Sequence, residues 1–138
     1  LTKASFRNEQ IVVAFFPGKF QPPHLGHVLT IVGLLDQYNK VIIGVTDDIP
    51  KVLEQSDRVS IFKKIFKYTN NIEVIPIQGV LTQYVQKDIF LLPDFDICIS
   101  GNKDVINNLK LLGINSKFSE RSKGVGYSGT EIRSLIDE

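Results

Sequence analysis

Hydrophobic positions along the chain follow two alternating patterns. Short unbroken apolar runs, rich in β-branched residues, are separated by segments whose apolar positions recur at helical spacing. Residues 11–16, Ile-Val-Val-Ala-Phe-Phe, predict a buried strand ended by Pro17-Gly18. Val28, Leu29, Ile31, Val32, Leu34 and Leu35 then predict a helix running up to Asn39. A second strand is expected over 41–46, closed by the turn-forming run Asp47-Asp48-Ile49-Pro50. With Ser56 in the N-cap position, Val59, Ile61, Phe62, Ile65 and Phe66 predict an amphipathic helix, and Lys63, Lys64 and Lys67 form its solvated face. The rhythm then repeats: a strand over 72–77, a helix over 81–90, a strand over 95–100, a short helix over 104–112 closed by Gly113, and a short strand over 114–118. A last helix is expected from Ser128-Gly129-Thr130 to the end.

Uninterrupted apolar strands between helices are what a parallel sheet covered on both faces requires, and its crossovers are right-handed. The pattern therefore predicts an α/β fold, a single Rossmann-like doubly wound domain over residues 1–138 with about five parallel strands. Length agrees, since 138 residues suit one ordinary domain and fall short of two. With 43% hydrophobic and 22% charged residues the composition is globular, which excludes disorder and fibrous repeats. No apolar run approaches the roughly 18 residues of a bilayer span, and no basic-then-apolar leader opens the chain. No membrane partner and a cytoplasmic location are therefore expected. The opening Leu1, in place of Met, suggests that native residues are missing or processed there. Cys98 is the only cysteine and lies in an apolar run, so no disulfide framework can form and a reducing compartment is expected. A net charge of +1 predicts no nucleic-acid partner, and any anion must be held by local groups.

In open sheets of this kind ligands bind beyond the carboxyl ends of the strands. The first such loop is Gly18-Lys-Phe-Gln-Pro-Pro-His-Leu-Gly-His27, which holds both histidines of the chain. His24 and His27 are three apart at a helix start, so their side chains can share one side of the turn. Gly18 allows a sharp exit from the sheet, Pro22-Pro23 stiffens the path, and Gly26 leaves the backbone open to a close-approaching ligand. Zinc would need two further ligands, with no third histidine and Cys98 inside a strand. Helix capping or satisfaction of loop carbonyls is a second reading. The favoured one is a phosphate site, because imidazole N–H donors beside a helix N-terminus suit anionic oxygens. No Walker-type loop occurs. The last junction, Arg121-Ser-Lys-Gly-Val-Gly-Tyr-Ser-Gly-Thr-Glu-Ile-Arg133, has Ser128 and Glu131 spaced as a capping box. Ser128, Thr130, the first free amides and Arg133 would there form a nest for a triphosphate.

At these residues the chain resembles the nucleotidyltransferase superfamily of cytidylyltransferase-like fold. Gly18-x-Phe20-x-Pro22-x-His24-x-Gly26-His27 is similar to the H-x-G-H motif, in the G-R-F-Q-P-x-H-x-G-H form of archaeal-type nicotinamide mononucleotide adenylyltransferases. Lys19 stands where that form has Arg, keeping the charge and losing the bidentate fork. Tyr127-Ser-Gly-Thr-Glu-Ile-Arg133 resembles the second motif, I-S-S/T-T-x-I-R. The resemblance implies transfer of a nucleoside monophosphate from an NTP to a phosphate-bearing acceptor, with release of pyrophosphate. His24, His27 and Lys19 would be catalytic. Gly18, Phe20, Gly26, Tyr127, Ser128, Gly129, Thr130 and Arg133 would bind the nucleotide, and Mg²⁺ would be carried mainly by its phosphates. In the family the loop at Gly101, Asn102 and Lys103 touches ribose and base, and the loop after the second strand lies near the acceptor. Asp47, Lys51, Arg58 and Arg121 are the acceptor candidates it offers. Read from the residues alone, Asp47-Asp48 is a metal pair or, more commonly, a turn former. Asp57-Arg58 is a local ion pair or a substrate contact. Tyr84 and Tyr127 can stack on a base but suit packing better.

Three functions remain open at this stage. An adenylyltransferase using ATP is favoured by Gln21, where cytidylyltransferases usually carry Asp, and by Ser-Gly-Thr-Glu-Ile-Arg. A cytidylyltransferase using CTP and an alditol or sugar phosphate is supported by Arg121-Ser-Lys-Gly-Val, which resembles an R-T-x-G-I/V stretch. The third is a non-catalytic nucleotide-binding module. The chain is shorter at its C-terminus than the similar nicotinamide mononucleotide enzymes, which leaves pantetheine phosphate and sugar or alditol phosphates as acceptors too. Homo-oligomers occur in the family.

Overall fold

The computed structural model describes residues 11–47 and 52–120. Its elements in chain order are strand β1 (Val13–Gly18), helix α1 (Leu25–Gln37), β2 (Lys40–Val45), α2 (Gln55–Ile65), β3 (Ile72–Pro76), two short 3₁₀ turns (Leu81–Gln83 and Gln86–Leu91), β4 (Ile97–Ser100), α3 (Lys103–Leu111) and β5 (Ser116–Phe118). The five strands form one sheet in the order β3-β2-β1-β4-β5, and every pairing is parallel. The strand order reverses between β1 and β4, which opens a crevice at their carboxyl ends.

The unbroken apolar runs follow from the sheet being covered on both faces. Alternate residues of β1 and β2 go to opposite sides. Ala14, Phe16, Val41, Ile43 and Val45 pack with Ile31 and Leu34 of α1 and Phe62 of α2. Phe15, Ile42 and Cys98 pack on the other face with Ile77, Leu81, Tyr84 and Leu109 of α3. Gly44 belongs to this second face, where a Cβ would stand 2.6 Å from the Phe15 ring and 2.8 Å from Ile77. Gly113 follows α3 with φ +83°, a conformation that suits glycine.

The main departure from the sequence pattern lies at 81–90, where a helix was expected and two 3₁₀ turns stand. An α-helix would need the Leu81 and Tyr84 carbonyls to accept from Val85 and Asp88. Instead Asn108 of α3 donates to both carbonyls at 2.9 Å. The Val85 N–H donates to the Asp88 carboxylate, and the Asp88 N–H to the Val85 carbonyl. One side chain on a distant helix thus diverts the local ladder. Two boundaries also differ. β1 continues through Pro17 and Gly18, paired with Gly44 and Val45. The N-cap position of α2 falls on Glu54, which makes no side-chain cap bond, and not on Ser56, since Gln55 is already helical while its side chain bonds the Val45 and Ile77 carbonyls.

Candidate active site

The loop from Lys19 to His24 leaves the carboxyl end of β1 at the edge of the crevice and turns into α1. His24 is the N-cap of that helix and His27 its third residue. Their side chains cap the turn reciprocally. The Gly26 N–H donates to His24 Nδ1, and the His24 N–H donates to His27 Nδ1, each at 3.1 Å. The rings stack with centroids 3.6 Å apart. Capping and phosphate binding are therefore compatible readings. A nitrogen that accepts from a backbone N–H holds no proton of its own, so each neutral ring carries its proton on Nε2 and donates through that atom. The cap fixes the same tautomer in two rings at a helix N-terminus.

Phe20 shapes the approach to this pair. Its ring meets His27 edge-on at 4.7 Å and Phe62 edge-on at 4.7 Å, with Phe16 at 5.7 Å. The residue is buried and has φ +52°, a left-handed conformation that a residue with a Cβ rarely adopts. Gly18, expected to make the sharp turn, does not have a positive φ; its missing side chain accommodates the Phe20 ring, whose Cζ would lie 2.8 Å from a Cβ there. The Phe20 ring thus belongs to the core, whereas the sequence offered the residue as a nucleotide contact. The Gln21–Pro22 peptide is cis, and Gln21 is buried with its side-chain oxygen accepting from the Leu53 N–H at 3.5 Å. Lys19 is exposed, and Gly26 is buried at the first turn of α1.

Arg58, offered by the sequence as a local ion pair or a substrate contact, is completely buried. Its Nη1 donates to the Lys19 carbonyl and, at 3.3 Å, to the Thr46 carbonyl, while Nε donates to the Glu54 carbonyl at 3.4 Å. The sequence carried a signal for this. Arg58 and Phe62 of α2 and Phe66 at its C-cap lie four apart on one stripe, and all three are buried. Thr46 was missed altogether. Its N–H and its hydroxyl both reach the Gly18 carbonyl, at 3.0 and 3.2 Å, joining the exits of β1 and β2. Asp47 is exposed in the same loop.

Across the crevice the loop after β4 is built differently. Ser100 Oγ accepts from the Asn102 N–H at 3.1 Å, and Asn102 caps α3 by accepting from Asp104 and Val105. Gly101 is partly exposed, and the Lys103 ammonium sits 5.3 Å from the centre of the Phe118 ring. Tyr84 is buried, with its hydroxyl donating to the Gln78 carbonyl, so it packs and does not present a face to a base. Burial, and then the nearby Asp88 charge, raise its pKa. Cys98 is buried in β4, and desolvation pushes its thiol up to about 12, which removes it as a nucleophile. Among the described residues no three His, Cys, Asp or Glu side chains gather to hold a metal, and no helix is long and apolar enough to cross a membrane. Lys51, Arg121, Tyr127, Ser128, Gly129, Thr130 and Arg133 lie outside the described residues.

Comparison with known proteins agrees with this geometry. A nicotinamide-nucleotide adenylyltransferase of Sulfurisphaera tokodaii is 31% identical over 136 residues, which span 91% of this chain and 79% of the relative. A phosphopantetheine adenylyltransferase of Clostridium botulinum is 36% identical over only 76 residues, 54% of this chain. In fold, the chain superposes on a bifunctional NMN adenylyltransferase/ADP ribose pyrophosphatase of Francisella tularensis, solved with AMP and a manganese ion, with a TM-score of 0.68 and 18% identity. That similarity covers 92% of this chain and 42% of the other, so this chain spans less than half of the bifunctional protein. The cytidylyltransferase-like family pattern matches residues 15–135, and the chain belongs to that family.

Proposed function

We propose that the acceptor is nicotinamide mononucleotide and that His24 and His27 act together as the donors on the reacting phosphate. The chain is an adenylyltransferase, transferring AMP from ATP to a phosphate-bearing acceptor with release of pyrophosphate. The choice of acceptor follows the relatives that match along most of the chain, whereas the phosphopantetheine enzyme matches along about half of it. The observation that carries the catalytic reading is the reciprocal cap, which leaves two stacked rings each with its proton on Nε2.

A phosphate oxygen of the acceptor attacks the α-phosphorus of ATP. The bond from that phosphorus to the bridging oxygen breaks, and pyrophosphate departs with the electron pair. The nucleophile is already ionised, so no general base is needed, and catalysis consists of alignment and charge stabilisation. Negative charge that builds on the α-phosphate oxygens meets the two Nε2–H donors and the N-terminus of α1. Lys19 holds positive charge at the exit of β1, beside the approaching acceptor phosphate. Ser128, Thr130 and Arg133 are assigned to the departing pyrophosphate. Mg²⁺ would be held mainly through the substrate phosphates, because it dehydrates reluctantly and keeps several waters. Bound there, it would neutralise part of the triphosphate charge.

The test is pyrophosphate release from ATP or CTP, each offered with nicotinamide mononucleotide, pantetheine phosphate, a sugar phosphate or no acceptor. Release with ATP and nicotinamide mononucleotide alone is expected. Release with another acceptor overturns the substrate assignment, release with CTP restores the cytidylyltransferase reading, and nucleotide binding without release leaves a non-catalytic module.

A further inference from the structure

We propose that Arg58 is the positioning residue of the histidine pair, acting through the Lys19 carbonyl and the Phe20 ring; this rests on the assignment of His24 and His27 as phosphate donors. A guanidinium taken fully out of water is costly unless its donors are satisfied with good geometry. Here Nη1 and Nε are directed to backbone carbonyls of three separate segments: Lys19 at the exit of β1, Thr46 at the exit of β2, and Glu54 at the start of α2. A planar fork suits such a junction, whereas a lysine would bring a single point charge on a different reach.

What the fork holds is the strained part of the loop. The Lys19 carbonyl belongs to the peptide unit that precedes Phe20, and the orientation of that unit sets the φ of Phe20. A residue with a Cβ stays at φ +52° only where its surroundings over-determine it. Two grips do so: Arg58 on the carbonyl, and the packing of the Phe20 ring among Phe16, Phe62 and His27. The His27 ring then has Phe20 edge-on and His24 stacked against it, and its Nδ1 is fixed by the cap. A path of direct contacts therefore runs from Arg58 to the imidazoles, and Arg58 need not touch either substrate. The same residue, through Thr46, fixes the neighbouring loop that carries Asp47.

The experiment uses Arg58→Lys and Phe20→Leu in the full chain, with two readouts. In steady-state kinetics with ATP and nicotinamide mononucleotide, both variants are expected to lose kcat, by about 10²-fold if the rings shift by an ångström, with both KM values little changed. Long-range ¹H–¹⁵N spectra of the histidines are expected to show a single Nε2–H tautomer in the native chain and a mixture in the variants. A tie that serves stability alone would lower the melting temperature without moving the tautomers. The proposal is overturned if kcat is retained, or if Arg58→Lys raises the acceptor KM alone, which would make it an acceptor contact after all. Should Arg58→Lys fail to fold, Phe20→Leu decides by the same readouts. If the native chain releases no pyrophosphate with any acceptor, the catalytic assignment fails, while the histidine spectra still judge whether Arg58 and Phe20 hold the rings.

Discussion

The loops after β1 and after β4 flank the same crevice and are held by opposite means. The first is tied from far along the chain: Thr46 grips the Gly18 carbonyl across 28 residues, Arg58 the Lys19 carbonyl across 39, and the Leu53 N–H the Gln21 side chain across 32. It also carries the left-handed Phe20. The second is tied within three residues, by Ser100 Oγ on Asn102 and by the Asn102 side chain on Asp104 and Val105. The two imidazoles are fixed on each other by their own cap, but the loop that delivers them from β1 cannot rely on its own short sequence, because local bonds alone leave several conformations of similar energy. A loop that only presents a helix start can rely on a cap, since the cap and the helix form together. Long-range ties thus gather where the chemistry demands positional accuracy.

The largest effect expected falls on the histidines. His24→Ala and His27→Ala should each lower kcat about 10²–10³-fold, the usual cost of one donor on a developing oxyanion, or about 2.7–4 kcal/mol. His24→Ala should also lose about 1 kcal/mol of stability with its N-cap. His24→Asn separates the two roles, because a side-chain amide oxygen caps well but cannot replace the ring. Its urea midpoint should return toward the native value while kcat stays low. Recovery of turnover in His24→Asn would reduce the histidine to a cap.

Next comes Gly18→Ala. A methyl there would lie within 2.8 Å of the Phe20 ring, and overpacking of this kind costs about 1–3 kcal/mol. The ring cannot give way without leaving His27, so kcat should fall together with the melting temperature. A variant that loses stability and keeps full turnover would detach the ring from the chemistry, and with it the contrast between the loops.

This contrast also explains what could be read from the sequence. The doubly wound sheet was legible because its strands are buried on both faces and announce themselves as unbroken apolar runs. The histidine pair was legible because His24, Gly26 and His27 are close in sequence and the motif is local. The burial of Arg58 was not read, because an arginine beside an aspartate at a helix start looks like surface chemistry, although its stripe with Phe62 and Phe66 marked it as buried. Thr46 gave no signal, since its partner lies 28 residues away. The segment at 81–90 kept an apolar spacing that a helix could use, and only Asn108, on another element, decides against it. Each misreading arises where a distant side chain outvotes the local pattern.

A smaller effect is expected at the locally built loop. Asn102→Ala removes the cap of α3 and should cost about 1 kcal/mol of stability. With Gly101, Asn102 and Lys103 assigned to the nucleotide, the functional loss should appear in the KM for ATP and leave kcat near the native value. Asn102→Asp supplies an equivalent cap and should restore both. If kcat collapses in Asn102→Ala as it does in Gly18→Ala, the two loops are coupled and the distinction between them is wrong.

The smallest effect belongs to Cys98, one strand position before the Ile99-Ser100 end of β4. Reagents such as iodoacetamide consume the thiolate, and burial raises this thiol from 9.0 to about 12. In the folded protein at pH 8 the thiol therefore stays protonated, so alkylation should be slow in the native state and turnover unchanged after brief exposure to the reagent. The sign of the pH dependence follows from the same shift. The native state binds this proton more tightly than the unfolded chain, so the thiol leaves stability flat below about pH 9 and lowers it from there toward pH 12, as the unfolded chain ionises first. Rapid native-state alkylation at pH 8 with loss of activity would show that β4 opens readily beneath the crevice, and that the second loop rests on a less rigid base than its short-range ties imply.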